Sequence, residues 1–174
     1  MSPDTEIQRA ANSLEAGRVR RYHAAPTVEA QTVGLHSWGV ALLCLYITGG
    51  NASRELLAQA ILHDTAELVT GDIPFTVKRD RVDVKKVFDE LEACAHANWV
   101  MPSFVLSPHD AAVLKLCDTL EGLIWCRKTE LTGPVRERWL NALYRALDKF
   151  APFISPTEHQ RAMAFVNDNW PSNL

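Results

Sequence analysis

The sequence predicts an all-α fold, a compact bundle of about six to seven helices that takes residues 1–174 as one domain. Three observations carry the prediction. Apolar residues recur at three- and four-residue steps in segment after segment, the spacing of a buried helical face. No segment alternates at period two, as a half-buried strand would. The interruptions fall on Pro, Gly and Ser, where helices start and stop. With 47% apolar and 22% charged residues, 174 residues suffice for a proper core and exclude a disordered chain.

Residues 4–16 form the first predicted helix, opened by Pro3 and Asp4 and closed near Gly17. The loop Arg18-Val19-Arg20-Arg21-Tyr22-His23 follows. Its arginines and aromatic ring suit a phosphate with a sugar or base; taken alone, the loop reads first as a solvated basic turn. The second helix covers roughly 33–48, with Val40, Leu43, Cys44 and Ile47 as its apolar face. His36 precedes Val40 by four and therefore falls on that face. Gly49-Gly50-Asn51 ends this helix and Ser53 caps the third. The third helix carries Leu56, Leu57, Ala60, Ile61 and Leu68 as a buried stripe, and His63-Asp64-Thr65-Ala66-Glu67 within it. Adjacent His63 and Asp64 diverge by roughly 100° on a helix, so both reach one ion only near a helix end or bend.

Ile73-Pro74-Phe75 is a predicted turn. Thr76 to Lys86 is the most basic stretch, with Lys78, Arg79, Arg81, Lys85 and Lys86 against Asp80 and Asp83. It suits a solvated helix face with internal ion pairs, or phosphate clamps beside a metal. A fourth helix over roughly 82–99 places Val84, Val87, Phe88, Leu91, Cys94, Ala95 and Trp99 inward. The fifth, roughly 108–127, starts on Pro108 and buries Val113, Leu116, Cys117, Leu120 and Leu123. Asp118 lies at the edge of that apolar set and needs a partner; Glu121, three residues on, is a candidate supporting group. Gly133-Pro134 and Ser155-Pro156 open the sixth and seventh helices.

A net charge of −3 argues against a broad nucleic-acid-binding surface. No apolar run is long enough to span a bilayer, and the N-terminus lacks a signal pattern. Cys44, Cys94, Cys117 and Cys126 lack Cys-x-x-Cys spacing and suit reduced core residues of a cytoplasmic protein. Five Trp and a surplus of apolar helix faces point to a homodimer or higher homo-oligomer.

His36, His63, Asp64 and Asp118 thus come from three predicted helices. Two imidazoles and two carboxylates suit a divalent transition metal (Co, Mn, Zn, Ni or Fe) with positions left open for water and substrate. The pattern H…HD…D resembles the HD-domain metal-dependent phosphohydrolases. Arg21-Tyr22, Thr32-Val33-Gly34-Leu35-His36-Ser37-Trp38, His63-Asp64-Thr65-Ala66-Glu67 and Gly71-Asp72-Ile73-Pro74 together resemble its 5′-deoxynucleotidase branch, including short phage enzymes that hydrolyse dATP to deoxyadenosine and triphosphate. The resemblance covers roughly 15–130. Two positions depart from it: Tyr22 stands where bacterial members usually have Trp, and Leu35 where an acidic residue commonly precedes the His.

The resemblance implies roles. His36, His63, Asp64 and Asp118 hold the metal, with Mg as a further ion for a triphosphate substrate. Glu67 handles the proton of water or of the leaving oxygen, and Asp72 activates water or contacts the sugar. Arg21 neutralises phosphate, Tyr22 lines the sugar or base, and Tyr22 and Pro74 crowd the 2′ carbon to select deoxyribose. Lys78, Arg79, Arg81 and Lys85 grip further phosphates. The implied reaction cuts the C5′-O–Pα ester of a deoxynucleotide, with a slight lean to triphosphates over monophosphates. It would take place in the cytoplasm, the host's if a phage encodes the chain. A non-catalytic metal- or nucleotide-binding regulator is the competing class; the presence of Glu67 and Asp72 argues against it.

Overall fold

The computed structural model describes residues 3–22, 30–73, 77, 80–128 and 134–169. The described residues are helical apart from loops and one isolated antiparallel bridge, Arg20 with Thr32. The helices are α1 (Pro3–Ala16), α2 (Val33–Ile47), α3 (Arg54–Leu62), α4 (Glu67–Thr70), α5 (Val82–Asn98), α6 (Pro108–Lys128), α7 (Pro134–Phe150) and α8 (Pro156–Asn169), with a 3-10 turn at Ala151–Phe153. The all-α expectation holds, and most boundaries fall within a residue or two of those the sequence predicts. The third predicted helix is the exception: it stops at Leu62, and a turn over residues 63–66 precedes α4. Pro74, Lys78 and Arg79 lie outside the described residues.

The chain divides into two compact units, Met1–Ser37 with Ile61–Ser103 and Trp38–Ala60 with Phe104–Leu174. In the first, α4 packs against α1 and α5. The α5 C-terminus presents carbonyls with no partner inside the helix. Buried Arg9 of α1 donates to two acceptors there, Val100 O at 2.6 Å and His96 O. A cation at a helix C-terminus also complements its dipole. The segments on either side of residues 23–29 pair as a short antiparallel ribbon: Arg21 N–H donates to Gln31 O, Val33 N–H to Val19 O and Gly34 N–H to Gly17 O, at 2.8–3.0 Å. The last two bonds satisfy the first turn of α2. Backbone meets backbone here, since a Cβ on Gly34 would lie 3.0 Å from Gly17 O.

The second unit holds the large apolar core. Ile47, Leu56, Leu116, Leu120 and Leu143 are fully buried within it, each contributing about 1.5–3 kcal/mol. Ser53 Oγ accepts the Leu56 N–H at 3.0 Å, as the predicted cap of α3. Gly49, at φ 63°, closes α2; a Cβ there would fall 2.6 Å from the Arg161 guanidinium, which donates to Ile47 O. Cys44 and Cys117 are buried free thiols, and burial followed by the Cys44 contact pushes the Cys117 thiol well up. Cys94 is exposed, contrary to the core reading, and the Cys126 side chain lies outside the described residues. Val87, Leu91 and Trp99 of the fourth predicted helix are exposed rather than inward, and so are Ile61 and Leu68 of the third. Periodicity shows that a helix has an apolar face; it does not show that anything covers it.

One polar cluster ties three helix starts together. His109 Nδ1 lies 2.9 Å from Asp110 Oδ1 and its Nε2 2.9 Å from Glu158 Oε1. Ser53 Oγ donates to Asp110 Oδ2 at 2.7 Å. Ser155 and Glu158 form a reciprocal capping box at α8. Burial disfavours charge on all three titratable groups, but the hydrogen bonds outweigh it. His109 is therefore raised above its ordinary value, and Asp110 and Glu158 are lowered below theirs. The raised His109 stabilises the fold fully below its unfolded pKa of about 6.5, and that contribution is lost as pH rises through its folded value. The carboxylates lose theirs as pH falls through their lowered values. The melting-temperature advantage of wild type over His109→Gln is expected to be largest below pH about 6.5 and to shrink as pH rises through the raised folded value above it. A pH-independent difference in thermal melts would contradict this.

Candidate metal centre and active site

The break after α3 makes the His-Asp pair usable. Thr65 closes the turn, its N–H and its Oγ1 both donating to Leu62 O, at 3.0 and 2.7 Å. The chain leaves the helical path at residue 63, so His63 and Asp64 no longer have to diverge as helix neighbours. Asp64 O then accepts the Glu67 N–H at 3.0 Å and starts α4.

His36, fully buried on the first turn of α2, places Nε2 3.3 Å from His63 Nε2. The Asp64 carboxylate lies 3.5 Å from each of these nitrogens, through Oδ2 to His36 and Oδ1 to His63. Arg21 Nη1 donates to Asp64 Oδ2 in a pair whose side chains are only 10% and 21% exposed. Two imidazole nitrogens facing each other, with a carboxylate beside both, are a donor set for a cation.

Tyr22 adopts φ 56°, a left-handed conformation costly for a bulky residue. Its N–H donates to Asp72 Oδ2 at 2.8 Å, and the Arg21 guanidinium lies 5.6 Å from its ring centroid. Asp72 thus helps to hold the Arg21-Tyr22 pair in this conformation. Glu67 is buried at the first position of α4. Glu121 is also buried; a Cβ on Gly39 would lie 2.9 Å from its Cγ, so the glycine makes room for it.

Arg81 and Lys85, proposed from sequence as phosphate clamps, are exposed and pair with Asp83 and Asp89. That is the solvated face with internal ion pairs that the sequence left open beside the clamp reading. Lys115, which sequence reasoning passed over, donates to Asp118 Oδ2 at 2.6 Å. Its i,i+3 spacing to Asp118 on one helix was the available signal.

Residues 14–133 match the family described as 5′-deoxynucleotidase YfbR-like. The chain belongs to this family. Its sequence is 31% identical over 124 residues to a dATP triphosphohydrolase of Salmonella phage PMBT28, covering 64% of this chain and 62% of that protein. It is 24% identical over 169 residues to a 5′-deoxynucleotidase of Vibrio cholerae, covering 77% of this chain and 87% of that one. The chain therefore spans somewhat under two thirds of the length of the phage relative. Among solved structures, the Cyanophage S-2L HD phosphohydrolase DatZ, bound to dA and one catalytic Zn2+ ion, superposes with a TM-score of 0.73 at 21% identity, over 91% of this chain and 95% of that one. At that identity the likeness is one of fold.

Proposed function

We propose that this YfbR-like chain is a metal-dependent hydrolase of 5′-deoxynucleotides that acts as one catalytic domain on the C5′-O–Pα ester. The observation that carries the reading is the facing pair of His36 and His63 nitrogens, 3.3 Å apart, with the Arg21-bound Asp64 carboxylate 3.5 Å from each. These donors fit a divalent transition metal, and the proposed ligands are His36, His63, Asp64 and Asp118; the zinc in DatZ makes Zn the first candidate. Bound there, the ion would supply Lewis acidity towards a phosphoryl oxygen and towards water. The remaining work falls to the chain. Arg21 neutralises charge on the α-phosphate, since a guanidinium suits the oxygens of a phosphate. Glu67 accepts the proton of the attacking water and returns one to the departing 5′-oxygen. Tyr22, held by Asp72, lines the sugar, and Pro74 is proposed for the same role. Lys78 and Arg79 are the proposed clamps for further phosphates, while Arg81 and Lys85 already pair with Asp83 and Asp89.

The lean is towards a triphosphate substrate of the dATP type, supported by the Salmonella phage relative that bears that name. The Vibrio cholerae relative, matched over more of its length, supports the second reading, a 5′-deoxynucleotidase acting on monophosphates. Incubation with Zn2+, Co2+ or Mn2+ and each dNTP and dNMP separates them. Deoxynucleoside plus triphosphate from a dNTP is the expected result. Deoxynucleoside and phosphate from dNMPs alone would establish the second reading, and no turnover with metal bound would overturn both in favour of a regulator. The enzyme is further proposed to act in the cytoplasm, as a homo-oligomer; among the described residues no helix is long and apolar enough to cross a membrane.

A further inference from the structure

Helix α2 carries no charged residue in its fifteen positions. One row, Val40, Leu43, Cys44 and Ile47, is buried in the core of the second unit. The opposite row is apolar as well, yet exposed: Leu35 to 46%, Trp38 to 62%, Leu42 to 45%, Leu45 to 38% and Tyr46 to 44%. A surface helix ordinarily turns charged and polar residues outward, and one that is apolar all round is normally buried on all sides. The steps Leu35–Trp38–Leu42–Leu45 are three, four, three, the 3.5-residue repeat of a helix–helix seam.

We propose that this row is the contact surface for a second copy of this chain, α2 packed on α2 about a two-fold axis. It names the surface for the homo-oligomer proposed above. A two-fold interface presents the same patch from both sides and must be self-complementary. A charge-free row of leucines with one indole meets that condition, because no like charges are brought together. It also offers nothing to a partner recognised by charge. At about 200 Å² per large side chain, the exposed fractions leave on the order of 450 Å² of apolar surface per copy. That is about half of the ~800 Å² per partner in a standard interface, the share expected of its apolar centre, with the polar rim supplying the rest. Exposed Val87 and Leu91 of α5, by contrast, are interleaved with Lys85, Lys86, Asp89, Glu90 and Glu92 and read as an ordinary solvated face.

Sedimentation velocity of the full chain across a wide concentration range tests this. Wild type is expected to associate. Leu42→Glu and Leu45→Glu each enter a two-fold seam twice, so each should weaken association by on the order of a hundredfold or more. Val87→Glu should leave association unchanged. Circular dichroism checks that the variants fold, and oxidative footprinting of wild-type Trp38 should show protection as concentration rises. A wild type that is monomeric throughout overturns both the oligomer and its surface. Association that survives both leucine variants, or a Trp38 that stays equally reactive, overturns the surface alone.

Discussion

Asp64→Asn is expected to remove metal binding and turnover together. Asp64 is the group around which the site closes: its carboxylate lies 3.5 Å from both imidazole nitrogens and also takes the Arg21 hydrogen bond. The amide keeps the volume, and its oxygen can still accept from Arg21, but the negative charge is lost. A neutral amide is a poor ligand for a transition metal compared with a carboxylate. Changes to the outer partners of metal ligands typically cost about 10–100-fold in affinity, and loss of a direct ligand should exceed that. Alanine adds a second penalty, because the Arg21 side chain, 10% exposed, loses its carboxylate partner. Breaking such a pair in a buried setting costs on the order of 3–5 kcal/mol, here reduced because Asp64 is partly exposed. Asp64→Ala should therefore also melt at a lower temperature than Asp64→Asn. Metal titration by calorimetry, a turnover assay and thermal melts read the three effects. An Asp64→Asn protein that retains wild-type metal affinity would remove Asp64 from the ligand set.

The legible parts of this chain are those in which local chemistry decides. Ser53, Pro108, Pro134 and Pro156 mark helix starts because capping and proline geometry act within one turn, and the structure places helices at each. His36 was readable as buried from its four-residue step to Val40. What sequence could not give was the path of residues 63–66. The stripe continues through them, with Leu68 in helical phase, so periodicity predicts one helix; the Thr65 hydroxyl and amide bonds to Leu62 O break it instead. The same limit explains Val87, Leu91 and Trp99, whose burial depends on neighbours distant in sequence. Asp72 was visible as a carboxylate of interest, but its hold on the Tyr22 amide spans fifty residues and left no local trace. The His109 cluster was equally silent, since only its capping-box half, Ser155 and Glu158, follows a local spacing rule.

Glu67→Gln is expected to cut kcat by about 10²–10⁴-fold, the usual contribution of a general acid or base, while metal affinity stays near wild type. The carboxylate is buried, on the first residue of a one-turn helix whose start is fixed by the Asp64 carbonyl. That tether places it one turn from the proposed ligand without making it a ligand. The glutamine variant keeps the shape and removes only the ability to take a proton, so KM should change little. The rate should also lose the part of its pH dependence that reports the base. Asp72 is the rival for this task. Its Oδ2 already accepts the Tyr22 N–H, and Tyr22 needs that support to keep φ at 56°. Asp72→Ala, which removes the acceptor of the Tyr22 N–H, should accordingly raise KM and blur the preference for deoxyribose more than it lowers kcat. The opposite pattern, with an indifferent Glu67→Gln and a kcat collapse in Asp72→Ala, would transfer proton handling to Asp72 and leave Glu67 a buried helix-start residue.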